Sequence, residues 1–295
     1  QDGVKSLLLK WYPKENVSKP QNFVLMYSNN DCSKTNMWIK HNCKKGSSCI
    51  AKNDILIVNN NVNVIDTTGF GTPKRLINGM YLRVEEIFGD CEEIVRFKSK
   101  GVKKTEVLKF TKLRVVCLDI SNQPDADIWM FSNYFDSDDC LSLDQRIAFQ
   151  IYIKKKVREL AKKEKFCNSR QYEDLLNDII NKSEIEKKAI LDFARNYDLP
   201  KAEKVEVHTS EENRKIVSER HKMFENLLRS EIRKTDPFIN AVLVKYGWSI
   251  TVHKSLGTKS ENILLKCSQG ENRGVDNESY FRWLYSALVT SQDQI

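Results

Sequence analysis

Three side chains that can donate hydrogen bonds to an anion lie close together near the end of the chain. They are Thr251, His253 and Lys254, and they follow a short apolar run and precede Gly257. Where a strand ends and a loop leads into a helix, backbone N–H groups and the helix dipole point at one place, which favours phosphate. The spacing therefore predicts a phosphate-binding turn over residues 245–257. A buried strand followed by an ordinary basic turn would show the same spacing.

The order of these residues, Thr-x-His-Lys-Ser-x-Gly, resembles motif V of superfamily 1 DNA helicases, in particular the RecD-like and Dda-like branch. Other segments resemble that family in the same order along the chain. Residues 24–36 are similar to the motif IV region, residues 236–245 to the strand that leads into motif V, and residues 280–288 to the beginning of motif VI.

The resemblance implies an α/β fold, namely a RecA-like second motor domain with a parallel sheet, interrupted by an SH3-like β-barrel and a helical insertion. It places the first part of the RecA-like domain at residues 1–50, the barrel at 51–125, the helical insertion at 126–235 and the second part at 236–295. It also implies a partner, single-stranded DNA. The expected nucleic-acid contacts are Ser28, Asn29, Asn36, Thr251, His253 and Lys254, and the expected nucleotide contacts are Gly257 and Lys259.

The three polar residues near the beginning of the chain have a second interpretation. Ser28, Asn29 and Asn36 follow an apolar run, and Ser and Asn are typical of helix caps and turns for purely local reasons. From the sequence alone, contact with nucleic acid and local capping therefore both remain open for these side chains.

A nucleotide-hydrolysing loop is missing from the sequence. A P-loop enzyme needs a Gly-rich loop ending in Gly-Lys-Ser/Thr to hold phosphates and an Asp to hold magnesium. No GxxxxGK[ST] occurs in the 295 residues. We therefore expect ATP and Mg²⁺ to bind only in a full-length protein, in which an N-terminal RecA-like domain in the same or another chain completes the cleft. This chain alone is not expected to hydrolyse ATP, and no catalytic residue is assigned to it.

The sequence also departs from the family at positions used toward the nucleotide. Leu256 replaces a Gln, Lys259 replaces a Glu, and Thr290 stands where the family has an arginine finger. An arginine finger increases the turnover rate by a factor of about 10³ or more.

Two functions remain open: the C-terminal motor half of an ATP-dependent DNA helicase, or a catalytically inactive helicase-like module that binds nucleic acid or serves as a scaffold.

Net charge, apolar runs and cysteine spacing limit the kinds of binding partner and the cellular setting that we expect. A net charge of +8 favours polyanions without identifying one. No apolar run approaches the roughly 20 residues of a membrane span, so we expect no membrane partner. The eight cysteines form no CxxC pair, which favours a reduced, cytoplasmic setting and provides no metal-ligand set.

Apolar runs at the two ends of the chain predict the parallel sheet. Continuous apolar runs of four or five residues are typical of strands buried on both faces. A helix is expected at residues 279–288, after the last of these strands. The predicted strands of the sheet are residues 23–27, 241–244, 249–252 and 263–265.

The middle of the chain changes from strands to helices. Short strands separated by turns such as Asn78-Gly79 and Gly89-Asp90 predict a small barrel, although an independent β-module would show the same pattern. The predicted strands are residues 55–58, 81–87, 93–97, 105–110 and 113–118.

Two capping boxes, Ser142 with Gln145 and Ser183 with Glu186, predict helices in the segment that follows. An apolar stripe at residues 172, 175, 176, 179 and 180 predicts a further helix. The basic run at residues 154–165 contains glutamates, and we interpret it as the solvated face of a helix.

Overall fold

The computed structural model describes residues 2–64, 74–119, 125–255, 260–267 and 278–289. It forms two compact units, one made of residues 1–146 and 240–295 and the other of residues 147–239. Among the described residues, no helix is long and apolar enough to cross a membrane.

The strands are β1 (Asn22–Met26), β2 (Ile55–Val58), β3 (Val62–Val64), β4 (Lys74–Leu76), β5 (Tyr81–Ser99), β6 (Val102–Cys117), β7 (Ala126–Phe131), β8 (Val244–Tyr246), β9 (Ser249–Thr251) and β10 (Asn262–Leu265). The α-helices are α1 (Asp2–Trp11), α2 (Asn29–Asn42), α3 (Ser132–Asp136), α4 (Leu143–Glu164), α5 (Arg170–Asp178), α6 (Glu184–Arg195), α7 (Glu211–Thr235), α8 (Val252–Ser255) and α9 (Glu278–Leu288).

A three-stranded parallel sheet joins the two ends of the chain. Its order is β10-β1-β9, and Leu25 in the central strand is paired with Leu265 on one side and Ile250 on the other. The apolar residues of β1 are buried because a central parallel strand is covered on both faces. The predictions of strands at 23–27, 249–252 and 263–265 and of a parallel sheet built from them are confirmed.

The strand predicted at residues 241–244 lies elsewhere. Its last residue, Val244, begins β8, which pairs antiparallel with β2 through Val58 in the second sheet. The chain changes sheets at Gly247, where a Cβ would come within 2.8 Å of the Tyr81 ring. Placing this strand in the parallel sheet was therefore wrong, because a glycine-dependent close approach separates β8 from β9.

The second sheet is antiparallel, with the order β7-β6-β5-β2-β8. Its main feature is one long hairpin of β5 and β6, where the sequence predicted shorter strands with a turn at Gly89-Asp90. Gly89, at φ 151°, instead lies inside β5 beside a register shift, as in a β-bulge. Among the described residues no closed barrel forms; β7 meets the residues before β8 at a bridge between Met130 and Val242.

The segment expected to begin the helical insertion begins with a strand. Residues 126–131 form β7, which pairs with β6, and Phe131 stacks on Phe110 with ring centroids 5.1 Å apart. Aromatic and branched side chains in this segment fit a half-buried pleated surface better than a helix. The compact helical unit covers residues 147–239, where residues 126–235 were predicted.

The helical unit has its own core. Phe166, Leu175, Ile190, Val217 and Leu228 are buried together in it. The stripe predicted from residue 172 is only partly correct. Leu175 and Ile179 are buried, but Leu176 and Ile180 are 41% and 64% exposed, and α5 ends at residue 178, before the end of the stripe.

Both predicted capping boxes are present. Ser183 accepts a hydrogen bond from the backbone of Glu186, whose carboxylate accepts one from the backbone of Ser183. Ser142 and Gln145 form the same reciprocal pair of bonds, at 3.1 and 2.9 Å. These local signals are recoverable from sequence because the partners are three residues apart.

Candidate functional site

A cavity of about 300 Å³ lies at the carboxyl ends of β1 and β9. Parallel strands end at the same edge of a sheet, so the polar residues that follow them converge there. Asn29, Asn36, Thr251 and Lys254, all predicted from the sequence, line this cavity. The structure thus brings together residues that are separated by more than 200 positions in the chain.

Asn36 is a positioning residue. Its side chain is buried at 3% exposure. Its amide nitrogen donates to the backbone oxygens of Tyr246 and Ser249 at 3.0 and 2.8 Å, and its oxygen accepts from the backbone nitrogen of Ser249 at 2.7 Å. These bonds hold the bend between β8 and β9, so the Asn36 side chain shapes the cavity from within the protein.

Lys254, in α8, connects the segment after β9 to the residue that follows β2 in the second sheet. Its Nζ donates a 2.7 Å hydrogen bond to Oδ1 of Asn59, and Nδ2 of Asn59 donates to the hydroxyl of Tyr134 at 3.0 Å. Burial lowers the pKa of Lys254, while the Cys32 thiol and the Asp139 carboxyl act in the opposite direction. Lys254 is therefore a partly buried cation that is held in place by a neutral partner.

Lys245 is a second cation in the same cavity. Its Nζ lies 4.7 Å from the centre of the Tyr134 ring and donates to the backbone oxygens of Tyr134, Phe135 and Ser137. These carbonyls are at the end of α3, where a positive charge is favourable. Burial lowers the pKa of Lys245 to about 8, with Asp136 opposing this shift.

An acidic segment that contacts Lys245 also lines the cavity. Asp139 accepts a 2.8 Å hydrogen bond from the amide of Asn29, and Asp138 accepts one of 3.4 Å from the hydroxyl of Ser33. Both donors lie in the first turns of α2, the end of a helix that attracts anions. The carboxylates of Asp138 and Asp139 thus occupy donors that could otherwise bind phosphate. Asp136 also lines the cavity, and burial raises its pKa.

Cys32 is the cysteine of α2 that lines the cavity and is buried. Burial raises the pKa of its thiol to about 12, although Ser249 and Lys254 act to lower it. The thiolate is the nucleophilic form of cysteine. Because the thiol is neutral near pH 7, Cys32 does not provide a nucleophile at this site.

The remaining predicted residues lie outside the cavity or outside the described ranges. Ser28 caps α2, accepting from the backbone of Asp31 at 3.1 Å, which is the local interpretation considered above. His253 is exposed in α8. Gly257 and Lys259, like Leu256 and Thr290, lie outside the described residues, so the nucleotide contacts expected there stay predictions.

Sequence reasoning missed the side of the cavity formed by α3 and the segment after it. Tyr134, Asp138 and Asp139 come from the segment predicted to be part of a helical insertion, and Asn59 follows β2. The dense group of aspartates at residues 136–139 was visible in the sequence, but nothing local indicates that it lines the same cavity as residue 254.

The described residues do not form a metal site. No group of three or more His, Cys, Asp or Glu side chains within them is arranged to hold an ion. Asp139 and Asp138 instead accept hydrogen bonds from Asn29 and Ser33, and the charge of Lys245 acts to lower the pKa of Asp136.

Comparison with models of known protein families and with curated proteins finds no match to this chain.

Proposed function

We propose that this chain is the C-terminal motor half of an ATP-dependent DNA helicase and that it binds single-stranded DNA at the carboxyl edge of its parallel sheet. In this proposal the parallel sheet belongs to a RecA-like second motor domain, and strands β2, β5 and β6 of the antiparallel sheet belong to the SH3-like insertion at residues 51–125. ATP and Mg²⁺ belong to a cleft that is completed by an N-terminal RecA-like domain.

One observation carries the proposal. The segments that resemble motifs IV and V come from opposite ends of the chain, yet β1 and β9 are adjacent and parallel, with Met26 paired with Thr251. The loops that follow both strands meet at the cavity lined by Asn29 and Lys254. In open α/β sheets ligands bind at this edge.

The charges of the cavity define how a strand would bind. Lys254 and Thr251 face a cavity that also contains Asp138 and Asp139. A phosphate near Asn29 competes with the carboxylate that now accepts its hydrogen bond. Binding therefore requires the acidic segment to move away from the first turn of α2, and affinity depends on how firmly that segment is held.

The experiment is fluorescence anisotropy with a labelled single-stranded oligonucleotide over a range of salt concentrations. The double variant Thr251→Ala, Lys254→Ala is expected to lose about tenfold in affinity and to reduce the salt dependence, because one phosphate contact is removed. Thr235→Ala, Lys234→Ala is the matched control, since it removes the same residue types from the exposed end of α7.

The control is expected to bind like the parent chain. Equal affinities for the parent chain and the Thr251→Ala, Lys254→Ala variant would refute the proposed contact. So would binding of the parent chain that does not weaken with salt, because phosphate contacts release counterions.

The residues at the positions that the resembling family uses toward the nucleotide favour a second function. Thr290 in place of the arginine finger, with Leu256 and Lys259, fits a helicase-like module that binds nucleic acid without hydrolysing ATP. Hydrolysis by the full-length protein separates the two. Stimulation of ATP hydrolysis by single-stranded DNA supports the motor half, and retained DNA binding without hydrolysis supports the inactive module.

A further inference from the structure

The tip of the β5–β6 hairpin is strongly basic. No acidic residue occurs from Ile94 to Thr105. The turn is formed by Lys100 and Gly101, both with positive φ, at 50° and 81°, as in a type I′ turn. The result is a narrow ribbon of two strands that ends in cations. The basic residues of the tip are Arg96, Lys98, Lys100, Lys103 and Lys104.

The register of the hairpin places like charges opposite each other. Lys98 is paired directly with Lys103. Like charges in directly opposite positions destabilise a sheet. Toward the base of the hairpin, on the same face, Glu92 lies opposite Lys109 and forms an ion pair of 3.5 Å. On this face a negative and a positive charge are paired at the base of the hairpin, whereas two positive charges lie opposite each other at the tip.

The cations of this face are available to a partner. Arg96, Lys98, Lys100 and Lys103 are exposed. None of the four is ion-paired with a carboxylate of the described part of the chain, whereas Lys104, on the opposite face, pairs with Asp144 at 2.5 Å. An unpaired group of four cations on one narrow ribbon is a surface for an extended anion.

We infer that the hairpin tip, residues 96–103, binds the backbone of double-stranded DNA. Residues 96 and 98 lie on the same face of the ribbon, about 7 Å apart. The major groove of DNA is about 12 Å wide and admits a two-stranded ribbon. A phosphate between Lys98 and Lys103 removes the repulsion between them.

Single strands are bound by exposed aromatic side chains on which bases stack. Phe97, the aromatic residue of the tip, lies on the opposite face and is half-buried.

This surface goes beyond the proposed function and shares no residue with the cavity of Thr251 and Lys254. The proposed single-strand contact and the inferred duplex contact can therefore be refuted independently of each other. Loss of duplex binding in a tip variant does not depend on the single-strand contact, and the Thr251→Ala, Lys254→Ala variant is expected to bind duplex as the parent chain does.

The test is anisotropy with a blunt labelled duplex and a single strand of the same length. The triple variant Lys98→Gln, Lys100→Gln, Lys103→Gln is expected to lose at least about tenfold in duplex affinity, and its salt slope is expected to fall by about 3. Its affinity for the single strand is expected to change by less than about threefold. Unchanged duplex affinity, or equal losses on the two nucleic acids, overturns the inference.

The matched control is Lys155→Gln, Lys162→Gln, Lys163→Gln. It removes the same charge from exposed positions of α4 and is expected to keep duplex affinity within about twofold. If this control loses as much as the tip variant, the binding reflects net charge, and the inference is wrong.

A single charge reversal separates binding from folding. Lys98→Glu places a carboxylate opposite Lys103, so the melting temperature is expected to stay the same or rise. Duplex affinity is expected to fall in the same variant, because the tip loses a cation and gains an anion. Duplex binding by Lys98→Glu that equals the parent chain overturns the inference.

Discussion

The side chain of Asn36 and the backbone of Ser249 form two hydrogen bonds across 213 positions of the chain. Oδ1 of Asn36 accepts from the nitrogen of Ser249 at 2.7 Å, and its Nδ2 donates to the oxygen of Ser249 at 2.8 Å. This pair fixes the first residue of β9 against α2. The position of Thr251 at the cavity depends on it, because Thr251 ends the same short strand.

Replacement of Asn36 should therefore destabilise the fold before it affects any ligand. Asn36→Leu keeps the volume of the side chain but leaves buried backbone groups of Tyr246 and Ser249 without partners. We expect a loss of about 3 kcal/mol or more in the free energy of unfolding, measured with urea. Lys34→Ala, at an exposed position of α2, should stay within about 0.5 kcal/mol of the parent chain. Equal stabilities would contradict this role of Asn36.

The acidic segment should restrain nucleic-acid binding. Asp138→Asn, Asp139→Asn removes two negative charges from the cavity and weakens the hydrogen bonds that occupy Asn29 and Ser33. We expect the affinity for single-stranded DNA to increase about three- to tenfold at low salt, and the gain to shrink as salt rises. Asp192→Asn, Asp174→Asn removes the same charge from the helical unit and serves as the control. A lower affinity in the cavity variant would show that these carboxylates do not compete with DNA.

The buried ion pair of Lys40 and Asp54 makes stability depend on pH in a defined direction. The two side chains are 2.5 Å apart and nearly inaccessible. Burial raises the pKa of Asp54, and Lys40 opposes that rise. Lys40→Met leaves Asp54 unpaired, with an expected loss of about 3–5 kcal/mol at pH 7.

The free energy of unfolding that Lys40→Met loses should be smaller in acid. Without Lys40 the folded-state pKa of Asp54 lies further above its unfolded value of about 3.9, so stability of the variant falls as pH rises through that window. Urea unfolding of Lys40→Met at pH 4 and pH 7 measures this difference. Adding Asp54→Asn should restore part of the stability and remove the dependence. A larger loss at pH 4 than at pH 7 would contradict the assignment.

His221 should make the helical unit sensitive to acid. Its ring stacks on Tyr197 with centroids 3.9 Å apart, and burial lowers its pKa, with Glu225 and Asp198 opposing and Lys204 assisting. The unfolded state, with a pKa near 6.5, then binds more protons than the folded state, so stability falls as pH drops below about 6.5. Melting temperatures at pH 7.5 and 5.5 should differ less in His221→Phe than in the parent chain. Identical pH dependence in the two proteins would exclude His221 as the cause.

The parts of the fold that the sequence predicts are those specified by local patterns. A continuous apolar run identified β1, because a central parallel strand that is buried on both faces needs apolar residues on both. Ser183 and Glu186 identified the start of α6, because capping is settled within four residues. Such features do not depend on the rest of the chain.

The features that the sequence did not predict depend on distant partners. Gly89 is typical of a turn, but the pairing of β5 with β6 makes it part of a bulge inside a long strand. For Asn36 the sequence left nucleic-acid contact and local capping open, and only the position of β9 shows that its amide is needed inside the protein. Asp138 and Asp139 enter the site because α3 and the residues after it lie beside α2.

The central claim is that single-stranded DNA lies at the carboxyl edge of the parallel sheet. Photocrosslinking with a single strand that carries 5-iododeoxyuridine, followed by identification of the modified peptides, tests it most directly. The account predicts crosslinks within residues 28–37 or 249–255, which include the cavity residues Asn29 and Thr251 and the exposed His253. Crosslinks that appear only outside both segments, for example at residues 96–103 or 154–165, would contradict it.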